Sequence, residues 1–111
     1  MGINEGDLRF IEDQLSAFGD FYTKRMFGGV GFFREGLMFA MMSSTGEFRL
    51  KVDDSNRADY ETAGMEPLYH KKDRTKRPMD YWQVPVHVLE NKELLANWAN
   101  AAYAIAVRKK K

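Results

Sequence analysis

Three groups of residues in this chain have types and spacing that could do chemistry. The first is the run Arg25-Met26-Phe27-Gly28-Gly29-Val30-Gly31-Phe32-Phe33, where three glycines sit among bulky apolar side chains. Clustered backbone N–H groups can cradle a phosphate, and a helix N-terminus directly after them completes an anion site. Here Val30-Gly31-Phe32-Phe33 continues as strand, no Gly-Lys-Ser/Thr follows, and glycines at 28, 29 and 31 do not match the dinucleotide fingerprint. The run is therefore expected to be a sheet corner whose glycines let the first strand turn sharply beneath Phe27, Phe32 and Phe33. Gly28→Val or Gly29→Val should then impair folding rather than remove a binding activity.

The second group is the histidines and serines. His70 and His87 fall on different elements, so a metal site built from them would need carboxylates gathered by the fold. His70 reads as a polar strand end and His87 as a surface residue at a helix start. None of the four serines sits in a GxSxG elbow or an SxxK pair, and the carboxylates are scattered as on solvated faces. No catalytic, metal or cofactor residue is assigned, and the chain is expected not to be an enzyme.

The third group is Lys71, Lys72, Arg74, Lys76 and Arg77, placed between Tyr69 and the Tyr81-Trp82 pair, with Arg108 to Lys111 adding four further charges at the end. Cations interleaved with aromatics can meet phosphates and stack on bases. The plainer reading is a solvated hairpin tip followed by a soluble tail. Seventeen basic residues against sixteen acidic ones leave a net charge of +1, which excludes an electrostatic nucleic-acid binder as a whole.

These groups need a scaffold. Leu8, Ile11, Leu15 and Phe18 recur at helical spacing after Asn4, a candidate N-cap, and Gly19 stands where a helix stops. From Phe21 to Val52 the pattern becomes short strands, Thr23 to Phe27, Val30 to Arg34, Leu37 to Met42 and Glu47 to Val52, joined by turns too short for parallel crossovers. In the last of them Phe48, Leu50 and Val52 alternate with Glu47, Arg49 and Lys51, which predicts one buried and one wet face. Leu37 to Met42 is apolar on both faces. That strand is expected to be central, with the second face of the sheet covered by another element or by a second subunit.

Asp53, Asp54 and Ser55 offer caps for a short surface helix running to about Ala63, with Gly64 as its stop signal and Ala58 with Ala63 or Tyr60 on its weakly apolar side. Met65 to His70 reads as an edge strand because Pro67 lies near its start, and Met79 to Val84 as the strand after the basic loop. Val84-Pro85-Val86 leads into a helical turn. Asn91 then caps a last helix carrying Leu94, Leu95, Trp98, Ala101, Ala102 and Ile105 on one side. The order is α-β(4)-α-β(2)-α: an α+β domain with an antiparallel meander of about five to six strands flanked by helices, spanning residues 1–111.

A chain of 111 residues can bury roughly two-thirds of its unfolded surface around one core. With no cysteine there is no disulfide framework, thiolate metal site or cysteine nucleophile, and a reducing compartment is the default. The longest apolar run, Leu37 to Met42, is far short of a membrane span, and the polar, acidic N-terminus is unlike a signal peptide. A cytoplasmic location without membrane contact is expected.

Taken together, Arg25-Met26-Phe27-Gly28-Gly29-Val30-Gly31-Phe32 with Gly36 to Ala40, Leu50 to Asp53 with Tyr60 to Met65, and Met79 to Pro85 with Leu94, Trp98 and Ala99 resemble the N-terminal domain of the TfoX/Sxy family, regulators of natural competence. The resemblance covers about Asp7 to Val107. It implies an α+β domain in a cytoplasmic bacterial protein linked to transcription of DNA-uptake genes. No active site comes with it, and the motif residues Arg25, Met26, Phe27, Gly28, Gly29 and Gly31 are expected to be structural. Family regulators commonly carry a second, C-terminal helical domain, so the resemblance implies a stand-alone copy of the first.

Two functions are left open by these readings. One is a non-enzymatic module that self-associates as a dimer and contacts a transcription-related protein, supported by the doubly apolar strand and seven methionines. The other is direct nucleic-acid binding through Lys71, Lys72, Arg74, Lys76 and Arg77 and the tail, with stacking from Tyr69, Tyr81 or Trp82.

Overall fold

The computed structural model describes residues 4–26, 28–65, 67–69 and 78–109. Helix α1 (Glu5–Gln14) begins where Asn4 accepts a hydrogen bond from the Asp7 N–H at 3.0 Å, with Glu5 and Asp7 in its first turn opposing the positive end of the dipole. A 3-10 turn (Leu15–Ala17) tightens its end. The apolar stripe read from the sequence is the buried one: Leu8, Ile11, Leu15 and Phe18 all belong to the core.

Four antiparallel strands follow as a meander: β1 (Tyr22–Met26), β2 (Gly29–Arg34), β3 (Leu37–Met42) and β4 (Phe48–Lys51). The chain then crosses through α2 (Arg57–Thr62) to β5 (Pro67–Tyr69) and β6 (Pro78–Gln83). The final hairpin joins the sheet by its second strand, giving the order β1-β2-β3-β4-β6-β5. That puts β5 on the edge, where Pro67 costs the ladder least.

One irregularity decides which side chains go where. Phe32 pairs with Ala40 and Phe33 with Met38, so β3 carries one extra residue, Phe39, against β2. A bulge of this kind shifts the alternation by one position. Phe39 and Ala40, neighbours in sequence, are therefore both fully buried on the same side, while Met38 and Met41, three apart, are both half-buried on the other. The strand is apolar along its whole length because it lines two different environments.

The covered side of the sheet, Val30, Phe32, Phe39, Ala40, Met42, Phe48 and Leu50, packs on α1 and on α4 (Lys92–Lys109). Asn91 caps α4 through the Leu94 N–H at 3.1 Å, as its position predicted. The buried stripe of α4 is Leu95, Ala96, Ala99, Ala102, Ile105 and Ala106; Ala101, read as part of it, is exposed, and Leu94 and Trp98 are half-buried at its margin. Its alanines let the helix axis approach the sheet while Phe39 and Phe18 supply the bulk. Each fully buried large side chain contributes about 1.5–3 kcal/mol.

Helix α2 differs from its sequence reading in its cap and, of its apolar side, at Ala58. Asn56 rather than Asp53 to Ser55 occupies the cap position, and its side chain ties the preceding turn by accepting from the Asp53 N–H and donating to the Lys51 carbonyl. Tyr60 is its buried residue, wedged against Trp82 and Trp98 at ring distances of 5.9 and 4.6 Å, whereas Ala58 is exposed. A short helix α3 (Val86–Leu89) after Pro85 leads into α4, and the Leu89 carbonyl accepts from the buried Gln14 amide.

Candidate contact surface on the open face of the sheet

The side of the sheet turned away from α1 and α4 is built by the other half of each strand's alternation. Tyr22, Lys24 and Met26 come from β1, Gly31 and Phe33 from β2, Met38 and Met41 from β3, Arg49 and Lys51 from β4, and Tyr81 from β6. At its centre is a groove of about 640 Å³ lined by Met26, Phe33, Met38, Met41, Arg49 and Tyr81 together with turn residues. Among the described residues, no helical residue contributes to its lining.

The glycines of the opening run shape this groove. Gly28 has φ +76° in the tight β1–β2 connection, a left-handed conformation that side chains disfavour. A Cβ on Gly29 would lie 2.4 Å from the Met42 carbonyl oxygen, so β2 and the end of β3 approach more closely than any side chain would permit. A Cβ on Gly31 would meet Phe33 Cε1 at 2.9 Å, Met26 Sδ at 3.1 Å and Met38 Sδ at 3.2 Å. The missing side chain at Gly31 is thus the space into which the three groove walls lean. The run is a hairpin turn and groove floor rather than a corner beneath three phenylalanines: Phe32 points into the core, Phe33 into the groove, and Phe27 lies outside the described residues. Arg25 projects from the opposite side of β1 and pairs with Glu5 of α1.

Charge lines the edges of this apolar floor. Tyr22 stacks on Phe33 at 5.4 Å and 11°, and Lys24 Nζ lies 5.9 Å from the same ring. Lys51 Nζ lies 4.8 Å from the Tyr81 ring. Arg49 corrects the expectation of a wet face on β4, since it is only 8% exposed and pairs with Glu47. Its place among apolar neighbours could be read from Phe48, Arg49 and Leu50 only by knowing that β6 and β3 flank β4 and that methionines line the same face.

Other sequence candidates fall elsewhere. Lys71, Lys72, Arg74, Lys76, Arg77 and His70 lie outside the described residues. Trp82 is 5% exposed against Tyr60, which removes it as a base-stacking platform. Of the tail, Arg108 donates to Asp53 and Ser55, tying the end of α4 to the turn before α2. The Ser55 hydroxyl holds the Asp53 carboxyl below its ordinary value; burial opposes it, and the Ser55 N–H and Arg108 each add a smaller lowering effect. His87 is exposed, and among the described residues no cluster of histidine and carboxylate side chains could hold a metal ion. No described helix is long and apolar enough to cross a membrane.

An α+β domain with its helices on one side of a six-stranded antiparallel sheet and an apolar, cation-edged groove on the other is a scaffold for contacts. The family model of the TfoX N-terminal domain matches residues 13–106, and the chain belongs to that family. The sequence resemblance carried by the glycine run and the segments around Gly64 and Val84 is thereby established. No curated protein matches the chain.

Proposed function

We propose that this domain is a regulatory interaction module without catalysis, which self-associates and contacts a transcription-related protein through the open face of its sheet. Membership of the TfoX N-terminal domain family supports a regulatory role, and competence gene expression in the bacterial cytoplasm is the process it suggests. The observation that carries the reading is the asymmetry of the sheet. One side is sealed by α1 and α4, while Met26, Phe33, Met38 and Met41 remain half-exposed on the other. Contiguous apolar surface of this kind marks contact sites, and flexible thioethers suit partners of varied shape. Sedimentation velocity across a concentration series tests it. The wild type is expected to form dimers and Met41→Glu to remain monomeric with an unchanged circular dichroism spectrum. A wild type that stays monomeric at the highest usable concentration removes self-association.

A further inference from the structure

The groove is large enough for a small organic molecule, and its charges select the kind. Its volume of about 640 Å³ lies within the range of sites that hold such ligands. Met26, Phe33, Met38 and Met41 make it apolar and adaptable. Arg49, nine-tenths buried, stands in the same wall. A guanidinium presents five donors in a planar fork that matches a carboxylate bidentately. Among the described residues the hydrogen bonding of the Arg49 side chain goes to Glu47, whose own side chain is 42% exposed. The rest of the fork is thus available to a carboxylate arriving along the groove. Lys24 beside Phe33 adds positive potential at one margin.

We infer that this groove binds an apolar ligand bearing one carboxylate, in the chemical class of a medium-chain fatty acid. Its carboxylate takes the open side of the Arg49 fork, and its chain lies over Met38 and Met41, against the Phe33 and Met26 side chains that close over Gly31. The alkyl chain supplies affinity and the buried guanidinium supplies selection, because an uncharged ligand of the same length leaves those donors unanswered. The site shares the open face with the contacts proposed above but does not require self-association.

The test is titration of decanoate and decanol, below micelle-forming concentrations, into protein labelled at its methionine methyl carbons. Decanoate is expected to shift the resonances of Met26, Met38 and Met41 and to leave that of Met65 in place, and decanol to bind about tenfold more weakly. Arg49→Gln is expected to reduce decanoate affinity to that of decanol without altering decanol binding. Since that change also breaks the pair with Glu47, Glu47→Gln supplies a variant of opposite sign: it frees Arg49 and is expected to strengthen decanoate binding severalfold. Equal affinity for the two ligands, shifts that miss the three groove methionines, or weaker decanoate binding in Glu47→Gln overturns the inference. Sedimentation of the same samples separates the two readings. A monomer that selects decanoate keeps the ligand site and removes self-association, and a dimer that does not distinguish decanoate from decanol does the reverse.

Discussion

The guanidinium of Arg34 lies over the ring of Phe18, its Cζ 3.7 Å from the centroid, and donates to the carbonyls of Phe18 and Asp20 at 2.8 Å each. Tyr103 of α4 stands 5.2 Å away on the same guanidinium. One side chain from the end of β2 thus ties together the end of the N-terminal helical segment, the sheet and the last helix. A planar cation that stacks and forks does this, and an ammonium does not. Arg34→Lys is expected to lower unfolding free energy by about 1–2 kcal/mol and Arg34→Ala by about 2–3 kcal/mol, read from urea midpoints at unchanged slope. A lysine variant as stable as the wild type would show that charge alone suffices.

The glycine run yields a ranked prediction. In Gly29→Ala the new Cβ meets a backbone carbonyl oxygen at 2.4 Å, and a backbone atom in a paired strand has nowhere to go. In Gly31→Ala it meets the ends of Phe33, Met26 and Met38, which can rotate aside. Gly29→Ala is expected to cost about 2–4 kcal/mol and Gly31→Ala about 1 kcal/mol. The milder variant should also partly fill the groove and weaken any ligand bound there. Equal losses at the two positions would contradict the close approach of β2 to Met42.

Tyr60 provides a pH signature. Its side chain is 1% exposed, and among the described residues its hydroxyl finds no partner. Burial, reinforced by the charge of Asp59, pushes its pKa well above the ordinary phenol value. The unfolded chain ionises this group near pH ~10 and the folded chain resists doing so, so full stability holds below that point and is lost as pH rises above it. Tyr60→Phe removes that alkaline loss and an unanswered buried hydroxyl together. It is expected to raise stability at neutral pH by up to about 1 kcal/mol and to narrow the gap between urea midpoints at neutral pH and at about pH 11. A destabilised phenylalanine variant would reveal a partner for the hydroxyl.

Most of the architecture was legible because each element announces itself locally. The stripe Leu8, Ile11, Leu15 and Phe18, the caps Asn4 and Asn91, and Pro67 at an edge all depend on short-range physics, and all are found as read. The contact surface was less legible because it depends on register. Nothing in Leu37-Met38-Phe39-Ala40-Met41-Met42 says that Phe39 is the extra residue, so the sequence cannot tell which methionines face out. Arg49 likewise read as a solvated charge, since alternation reports the side of the strand but not what stands beside it. Ala101 was misplaced for the opposite reason: in an alanine-rich helix the apolar stripe is too wide to locate its centre.

The bulge in β3 also makes this sheet asymmetric in its tolerance of change. Beyond Phe39 the strand is half a step out of phase with the portion before it, so the dry side and the groove are kept in correspondence by a count of residues rather than by their chemistry. Substituting one apolar residue for another between 37 and 42 perturbs packing locally. Losing Phe39 would restore plain alternation and leave Ala40 and Met42 inward and Met41 outward, whereas gaining a residue after it would turn Ala40 and Met42 outward and Met41 inward, with every side chain still of acceptable type. For this segment chain length is as much a part of the folding code as hydrophobicity.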